Sequence, residues 1–248
     1  MTSTVLITGA SRGIGAACAV LCAEQGWDVA VNYASRADAA EAVVESVRRF
    51  GRRAIAVQAD VSRDDEVRAM FERVDRELGS LRGLVNNAGV VDVAQRVDEM
   101  TPERVRRMFE INVYGSFSCA REAVRRMSTR HGGGGGAIVN LSSVAARLGA
   151  PGQYVDYAAA KAAIDTFTVG LAKEVGAEGV RVNAVRPGIT DTEIHASGGQ
   201  PERAWQLAGL IPMQRPGRAD EIAQAIAWLL SDAASYTSGA LLDVGGGR

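Results

Sequence analysis

The sequence predicts an α/β protein in which a single sheet of seven parallel strands is covered by helices on both faces. Short β-branched apolar runs alternate along the chain with longer stretches of helical period. Such βαβ repetition requires parallel pairing with crossover connections, which gives a three-layer, doubly wound (Rossmann-type) sheet. The chain of 248 residues is long enough to bury one such core, and we expect residues 1–248 to form a single domain.

The elements follow one another in a regular order. The apolar runs predict strands at 5–8, 28–33, 54–58, 83–86, 137–141, 181–185 and 240–244. The helical patterns predict helices at 14–25, 37–50, 64–78, 102–130, 154–176 and 220–230. Ligands of doubly wound sheets bind at the carboxyl ends of the strands, so the residues that follow each strand are candidates for a site.

Composition and charge argue against several classes of function. Hydrophobic residues make up 47% of the chain and the net charge is -1, so no electrostatic field attracts nucleic acid. Two groups of arginines fall in helical stretches beside acidic residues, which predicts solvated helix faces rather than a binding patch. These arginines are Arg48, Arg49, Arg52, Arg53, Arg104, Arg106 and Arg107.

Membrane and metal functions are not expected either. No segment approaches the eighteen or so apolar residues of a membrane span, and the first residues lack a targeting pattern, so we expect a cytoplasmic protein. Three cysteines are too few for a disulfide framework, and Cys18 and Cys22 predict one buried helix face. The two histidines, His131 and His195, do not assemble a zinc site.

Two segments interrupt the alternation. The glycine run at 132–136 precedes a strand and does not open a helix, which favours a flexible surface turn over a phosphate loop. Residues 189–218 mix loop residues with apolar ones, and they form either a mobile lid over the substrate or a surface helical hairpin. The apolar residues of this segment are Trp205, Leu207, Leu210 and Ile211.

A glycine turn marks the first strand-to-helix junction. Gly9, Gly13 and Gly15 lie in the stretch T-G-A-S-R-G-I-G. Glycines at such a turn let backbone amides approach a pyrophosphate at the positive end of a helix. The spacing G-x-x-x-G-x-G differs from the most familiar dinucleotide fingerprint, but its place at the first junction favours dinucleotide binding.

The end of the second strand selects between the two nicotinamide cofactors. A carboxylate there would hold the ribose hydroxyl and repel a phosphate. The stretch V-N-Y-A-S-R contains Asn32 and Tyr33 but no carboxylate, while Arg12 and Arg36 can flank a 2′-phosphate. We therefore expect NADP, with NAD as the less favoured cofactor. The alternative is that Arg36 is only the polar start of a helix.

Tyr157 and Lys161 are the strongest candidates for catalysis. A helix places positions four apart on one face, so the ammonium should lie beside the phenol, whereas Tyr154 has Ala158 at that position. Moving a phenol pKa from about 10 to neutrality takes roughly 4 kcal/mol. One charge about 4 Å away supplies that much at an effective dielectric near 20. Tyr157 is therefore expected to act as a general acid/base.

Six ordered motifs resemble those of the short-chain dehydrogenases/reductases, in the branch of 3-oxoacyl-ACP reductases and glucose dehydrogenases. They are T-G-x-x-x-G-I-G at 8–15, N-N-A-G at 86–89, Asn112, the pair Ser142 and Ser143, Y-x-x-x-K at 157–161, and P-G at 187–188. The stretch from Ser143 to Tyr157 is one residue longer than expected for the ketoacyl-reductase branch, which puts the pocket shape in question.

The resemblance implies a site and a chemistry. Asn112, Ser143, Tyr157 and Lys161 would be catalytic, with Ser143 holding the substrate oxygen, Lys161 gripping the nicotinamide ribose and Asn112 holding a water. The implied cofactor-binding residues are Gly9, Ser11, Arg12, Gly13, Ile14, Gly15, Asn32, Tyr33, Ala34, Ser35, Arg36, Asp60, Val61, Asn87, Ala88, Gly89, Tyr157, Lys161, Pro187, Gly188, Ile189 and Thr192. Of these, Asp60 and Val61 would bracket the adenine, and Ile189 and Thr192 would hold the carboxamide.

Three functions are compatible with these residues. The favoured one is an NADP(H)-dependent oxidoreductase that interconverts a small carbonyl compound and an alcohol. The second is an NAD(P)-dependent sugar or polyol dehydrogenase, and the third, from another class, is a non-catalytic dinucleotide sensor. A sensor is expected to lose the tyrosine or the lysine, and this chain keeps both. The resemblance also implies a homotetramer.

Overall fold

Seven parallel strands form the centre of the protein in the computed structural model, which describes residues 3–248. The strands are β1 (Thr4–Ile7), β2 (Asp28–Tyr33), β3 (Ala54–Gln58), β4 (Leu81–Asn86), β5 (Gly136–Leu141), β6 (Val180–Pro187) and β7 (Leu241–Val244). Their order in the sheet is β3-β2-β1-β4-β5-β6-β7, and every neighbouring pair is parallel. The predicted fold class and all seven predicted strands are confirmed.

Helices cover both faces of this sheet. They are α1 (Gly13–Glu24), α2 (Ala37–Arg48), α3 (Asp64–Leu78), α4 (Pro102–Phe109), α5 (Gly115–Met127), α6 (Ala145–Leu148), α7 (Val155–Val175), α8 (Ile194–Ser197), α9 (Arg203–Gln206) and α10 (Ala219–Leu230). One apolar core lies between the sheet and helices α1, α2 and α10, and a second lies between the sheet and helices α3, α5 and α7. Strands buried on both faces explain why the sequence shows continuous apolar runs and not alternation.

The strand order reverses between β1 and β4, which lie side by side although two strands separate them in sequence. At such a switch point the loops that follow the two strands diverge and leave a crevice at the carboxyl edge of the sheet. The glycine turn after β1 and the N-N-A-G stretch after β4 meet at this crevice. The fold therefore places two of the six motifs together before any side chain is considered.

The helix predicted at 102–130 is not continuous. Helix α4 is capped by the Thr101 hydroxyl, which accepts a hydrogen bond from the Arg104 amide at 3.3 Å, but after Phe109 the chain forms a π-helical turn over Glu110–Tyr114. The Asn112 amide donates to the carbonyl oxygens of Met108 and Val90, both at 3.0 Å, inside this turn. A local π-helical turn is a small insertion that a 3.6-residue pattern does not reveal.

The glycine run is packed and is not simply a flexible turn. The Gly135 amide donates to the Met127 carbonyl at 2.7 Å, and Gly136 already begins β5. A Cβ on Gly135, where φ is +82°, would lie 2.6 Å from the Gly179 carbonyl oxygen, and one on Gly136 would lie 2.6 Å from the Arg82 carbonyl oxygen. The run lets the end of α5 approach the start of two strands closely.

The predicted solvated arginine faces are wrong at two positions. The Arg104 side chain is 7% exposed and pairs with Asp156 at 2.9 Å, and the Arg52 side chain is 24% exposed and pairs with buried Asp28 at 2.7 Å. Both acids lie far away in sequence, so a pattern read along one helix cannot pair them. The expected burial of the Cys18 and Cys22 face is confirmed. Within residues 3–248, no helix is long and apolar enough to cross a membrane.

Candidate active site at the carboxyl edge of the sheet

The glycine turn is fixed by side chains that hydrogen-bond to main-chain atoms. The Asn32 oxygen accepts from the Gly9 amide at 3.1 Å, and its nitrogen donates to the carbonyl oxygens of Val57, in β3, and Ala59, just after it. The Asn87 nitrogen donates to the carbonyl oxygens of Thr8 and Gly9 at 2.8 and 3.0 Å. The Thr8 hydroxyl accepts from the amides of Asn87 and Ala88. Asn32 thus stabilises the glycine turn, since both polar atoms of its side chain form hydrogen bonds within the protein.

Gly9 has no acceptable replacement at this turn. Its φ is +60°, and a Cβ would lie 2.9 Å from the Ala88 Cα. Helix α1 starts four residues later, and no side chain caps its first turn within the described residues. An uncapped helix start behind a glycine turn offers free amides and positive partial charge, which fits the pyrophosphate of a dinucleotide. Ser11 and Ile14 lie partly exposed at this opening.

The residues predicted to hold the adenosine follow β2 and β3. Tyr33 ends β2, and Ala34, Ser35 and Arg36 continue from it as exposed residues. The Asp60 carboxylate accepts from the Ser62 amide and hydroxyl at 2.9 and 2.7 Å, and Val61 is buried against Gly115. No carboxylate stands at the end of β2, so the edge carries the residues expected for a 2′-phosphate and lacks the acid expected for an unsubstituted ribose.

A carboxylate from the 189–218 segment pairs with Arg12. The Arg12 guanidinium lies 3.2 Å from Glu193, and the charge of Glu193 also acts on Arg36, whose closer partner is Asp38 at 3.3 Å. Contact with Asp38 raises the pKa of Arg36, so this guanidinium stays charged. The Glu193 carboxylate thus contacts Arg12 directly and acts on Arg36 only through its charge.

A cavity of about 470 Å³ opens beside the crevice and collects the predicted catalytic residues. Ser143, Tyr157 and Lys161 line it, as do the predicted cofactor residues Ile14, Asn87, Gly89, Pro187, Gly188, Ile189 and Thr192. Apart from Ile14, the predicted residues after β1, β2 and β3 lie along the same edge, outside the cavity itself. A wider groove of about 970 Å³ at the opposite edge contains no predicted site residue.

Lys161 is buried and Tyr157 is half-buried, and removal from water acts against the charged form of each. It raises the pKa of Tyr157 to about 12 and lowers the pKa of Lys161 to about 8, with Asp165 opposing the second shift. The Lys161 nitrogen lies 5.6 Å from the centre of the Tyr157 ring and donates to the Leu141 carbonyl at 2.7 Å. Desolvation thus moves the pKa of the phenol upward, opposite to the lowering toward neutrality that the sequence predicts. The phenol is protonated at neutral pH.

The two adjacent serines face different ways. The Ser142 hydroxyl donates to the Lys161 carbonyl oxygen at 3.0 Å and so ties β5 to helix α7. The Ser143 side chain acts on Tyr157 and partly opposes the rise in its pKa, while its oxygen also accepts from the Ala145 amide at 3.1 Å. Ser143 is accordingly the one placed to meet a substrate oxygen beside the phenol.

Asn112 lies behind the cavity, next to Gly89. A Cβ on Gly89 would be 2.8 Å from the Asn112 oxygen and 3.4 Å from the Lys161 nitrogen, so the two side chains approach the same point. The Asn112 oxygen accepts from the Val90 amide at 3.2 Å, and its nitrogen donates to main-chain carbonyls. The side chain is thus satisfied by the main chain in this structure.

Residues 189–218 cover the cavity and are anchored at their base. A parallel bridge joins Thr190 to Gly217, and Thr190, Ile194, His195 and Arg203 line the cavity from this side. The apolar residues expected here do not form one cluster. Ile211 is buried, while Trp205 and Leu210 are exposed.

One element of the site was not predicted from sequence. Asp156, directly before Tyr157, accepts from the Tyr157 amide at 2.9 Å and from Arg104 at 2.9 Å. Arg104 also donates to the Val93 carbonyl and to Gln95. The start of helix α7 is thereby fixed to helix α4 and to the loop after β4. The aspartate in the first helical turn was visible in the sequence, but its partner lies 52 positions away.

Comparison with known proteins places the chain among oxidoreductases. The family described as enoyl-(acyl carrier protein) reductase matches residues 9–248. The chain is 54% identical over 243 residues to the uncharacterized oxidoreductase YgfF of Escherichia coli (strain K12), covering 98% of both chains. It is 40% identical to the 3-oxoacyl-[acyl-carrier-protein] reductase FabG of Staphylococcus aureus (strain Mu50 / ATCC 700699), covering 100% of this chain and 98% of the relative.

Two further similarities concern a substrate and a cofactor. The chain is 43% identical to the cis-4-hydroxycyclohexanecarboxylate dehydrogenase of Sinomonas cyclohexanicum, covering 98% of this chain and 94% of the relative. Among solved structures, a short-chain dehydrogenase from Burkholderia cenocepacia J2315 in complex with NADP superposes with a TM-score of 0.90 at 35% identity, covering 99% of this chain and 97% of that one.

Proposed function

Because this chain belongs to the short-chain dehydrogenase/reductase family, we propose that it is an NADP(H)-dependent oxidoreductase that reduces the carbonyl group of a small molecule to an alcohol. The observation that carries the proposal is the meeting of Ser143, Tyr157 and Lys161 in one cavity beside the glycine turn. That arrangement provides a hydroxyl, a protonated phenol and a cation where a carbonyl oxygen would lie next to a dinucleotide.

The residues would divide the reaction as follows. The reduced nicotinamide, when bound, supplies the hydride that the carbonyl carbon accepts. Tyr157 transfers its hydroxyl proton to the carbonyl oxygen as negative charge develops there, and Ser143 donates a hydrogen bond that orients that oxygen. Lys161 stabilises the phenolate that remains, and Asn112 lies behind it toward the loop after β4. The high pKa of Tyr157 favours this direction, because the phenol starts out protonated.

The cofactor-binding residues follow from the same edge of the sheet. The turn at Gly9 and the open start of helix α1 would hold the pyrophosphate, and Asp60 with Val61 would flank the adenine. Ile189 and Thr192 would hold the carboxamide. Arg12, after β1, and Arg36, after β2, support NADP over NAD, since both are cationic and no acid ends β2. The NADP complex of the Burkholderia cenocepacia protein supports the same choice.

A steady-state comparison of cofactors and substrates tests this proposal. The protein is mixed with NADPH or NADH and a panel of neutral ketones and aldehydes, and nicotinamide absorbance is followed. We expect turnover with NADPH and a Michaelis constant at least about tenfold higher for NADH, because a phosphate paired with two guanidiniums is a strong contact. A clear preference for NADH would contradict the cofactor assignment. Cofactor binding without turnover on any carbonyl compound would favour a dinucleotide sensor.

We also propose that the protein assembles as a homotetramer. Phe117 on α5 and Phe167 on α7 stack with ring centres 3.7 Å apart, and Phe117 remains 46% exposed. Trp228 on α10 and Tyr236 before β7 are likewise exposed. Large exposed apolar side chains on long helices support contacts between subunits. Sedimentation would show a tetramer at micromolar concentration, and a monomer there would contradict the assembly.

A further inference from the structure

The cavity that holds Tyr157 has an unusual distribution of charge. Its lining includes the cationic side chains of Lys161, Arg203 and Arg248, yet within the described range 3–248 no Asp or Glu side chain lines it. Much of the remaining wall is apolar, and it includes Val91, Val144, Leu148, Pro151 and Ile194. A cavity with positive charge on an apolar wall is suited to a ligand that is apolar along its length and negative at one point.

Arg203 is held in place entirely by neutral groups. Its guanidinium donates to the side-chain oxygens of Gln153 at 2.5 Å and Gln200 at 2.8 Å, and it lies 5.2 Å from the centre of the Tyr154 ring. Among residues 3–248, no carboxylate lies within 4.0 Å of it. Two of its five N–H groups are used in these bonds, so the fork keeps donors for a ligand.

Neighbouring arginines behave differently. Arg215 pairs with Glu221 at 2.6 Å and Arg218 pairs with Asp220 at 2.9 Å, so acids of helix α10 neutralise the other two guanidiniums of the 189–218 segment. Within the described residues, Arg203 therefore differs from Arg215 and Arg218, because its guanidinium is oriented at the cavity wall without a carboxylate partner. The amides of Gln153 and Gln200 fix its direction without cancelling its charge.

Lys161 and His195 in the same cavity are less suited to bind an anion. The Lys161 nitrogen is buried and already donates to the Leu141 carbonyl at 2.7 Å. The His195 Nε2 lies 2.9 Å from the Thr190 carbonyl oxygen, and burial together with the nearby charge of Arg203 lowers the pKa of this imidazole. His195 is accordingly neutral at neutral pH, and Arg203 supplies the fixed positive charge on the 189–218 side.

We propose that the substrate is a keto acid whose carboxylate binds Arg203 while its carbonyl oxygen lies at Tyr157 and Ser143. The inference rests on the proposed reductase function and names its substrate class. A planar fork with free donors matches a carboxylate in geometry and in charge. The apolar wall between the two polar ends would contact the carbon chain that separates the carbonyl from the carboxylate.

Matched pairs of compounds test the inference. Keto acids with two to six carbons between the carbonyl and the carboxylate are compared with their methyl esters, using NADPH and the intact protein. Each ester keeps the carbonyl and the chain but lacks the charge. We expect kcat/KM to be at least about tenfold higher for the acid at the best chain length. That length measures the span between Arg203 and Tyr157.

Arg203→Gln should abolish the preference for the acid. The kcat/KM of the acid should fall by about tenfold or more, mostly through KM, while that of the ester falls by less than about threefold, so the ratio of the two approaches one. Arg203→Lys should retain part of the preference because it keeps the charge and loses the fork. Arg218→Gln, in which an exposed arginine away from the cavity is changed, should leave the ratio as in the wild type.

A purely structural role of Arg203 predicts a different result. If the bond to Gln153 only holds the 189–218 segment closed, Arg203→Gln and Gln153→Ala should lower acid and ester turnover equally. Charge recognition predicts that Gln153→Ala keeps a clear preference for the acid. An unchanged ratio in Arg203→Gln, or turnover of neutral ketones and esters but not of acids, would overturn the inference and leave the proposed reductase intact. Absence of turnover on all carbonyl compounds would remove both.

Discussion

The two halves of the candidate site are built from different kinds of contact. On the cofactor side, short side chains such as Thr8, Asn32 and Asn87 hydrogen-bond to main-chain atoms and fix the glycine turn. On the proposed substrate side, long side chains make the contacts, as between Arg203 and Gln153 or between Arg203 and Gln200. The geometry of the cofactor side is therefore fixed by the backbone, whereas that of the substrate side depends on side chains with many rotamers.

This difference in contacts determines which half of the candidate site can change between related proteins. A contact to the main chain persists when neighbouring side chains change, so the cofactor side is suited to a ligand that stays the same. Long side chains can be exchanged without moving the sheet, so the 189–218 segment can select different substrates on one scaffold. Two relatives of about 40% identity, named for a 3-oxoacyl carrier-protein substrate and for a hydroxycyclohexanecarboxylate, illustrate that range.

The largest effect is expected at the boundary between the two halves. Tyr157→Phe removes the proton donor and keeps the ring, so kcat should fall by about 10³-fold while NADPH affinity stays within a few-fold. Turnover measured by nicotinamide absorbance, and affinity measured by NADPH fluorescence, separate the two halves. Retention of more than a tenth of the wild-type kcat would remove Tyr157 from the reaction.

A change in the backbone of the cofactor side should have the next largest effect. Gly9→Ala places a methyl group 2.9 Å from the Ala88 Cα at a φ of +60°, so we expect a loss of about 3 kcal/mol in unfolding free energy and weaker NADPH binding. Gly26→Ala is the matched control, because its φ is +93° and nothing lies within 4 Å. Gly26→Ala should lower the unfolding free energy by about 1 kcal/mol. If both variants lost the same unfolding free energy in urea, the contact with Ala88 would not contribute to the loss.

The buried lysine between the halves should give a pH-dependent stability. The pKa of Lys161 is about 8 in the folded protein and 10.5 as its ordinary value. Between these values the unfolded chain holds a proton that the folded chain has lost, so stability from this group rises as pH rises through the window. Relative to Lys161→Met, the wild type should gain about 2 kcal/mol between pH 7.5 and pH 10. If the difference in unfolding free energy between the wild type and Lys161→Met did not change with pH, the lysine would not be desolvated in the folded protein.

The smallest effect is expected for the exposed contact that joins the two halves. The Arg12 and Glu193 side chains are 44% and 60% exposed, so Glu193→Gln should change the unfolding free energy by less than about 1 kcal/mol. Because the carboxylate competes with a 2′-phosphate for Arg12, the KM for NADPH should fall by about twofold, with that for NADH unchanged. Glu202→Gln on the same segment is the control. A parallel fall in both Michaelis constants would exclude competition for the phosphate site.

Sequence reasoning succeeded where structure follows from local pattern. Seven apolar runs, the glycine turn and the Y-x-x-x-K spacing predicted the sheet and the cavity that Tyr157 and Lys161 share. It failed where a partner lies far away in sequence. The helical period marked Arg104 as solvated, although Asp156 buries it, and no period reveals the π-helical turn at Asn112. The hydrogen bond from the Lys161 ammonium to the Leu141 carbonyl, at 2.7 Å, likewise joins positions 20 residues apart, which the helical spacing of Tyr157 and Lys161 does not reveal.

The buried pair of Arg104 and Asp156 bears on the order in which the protein folds. The Arg104 guanidinium reaches from helix α4 to the loop after β4 and to the first turn of helix α7, and its acidic partner is 52 residues away. Contacts of such long sequence separation form late, because the closure entropy of the intervening chain must first be overcome. Tyr157 therefore acquires its orientation only when most of the domain is assembled, so partly folded intermediates should lack catalytic activity.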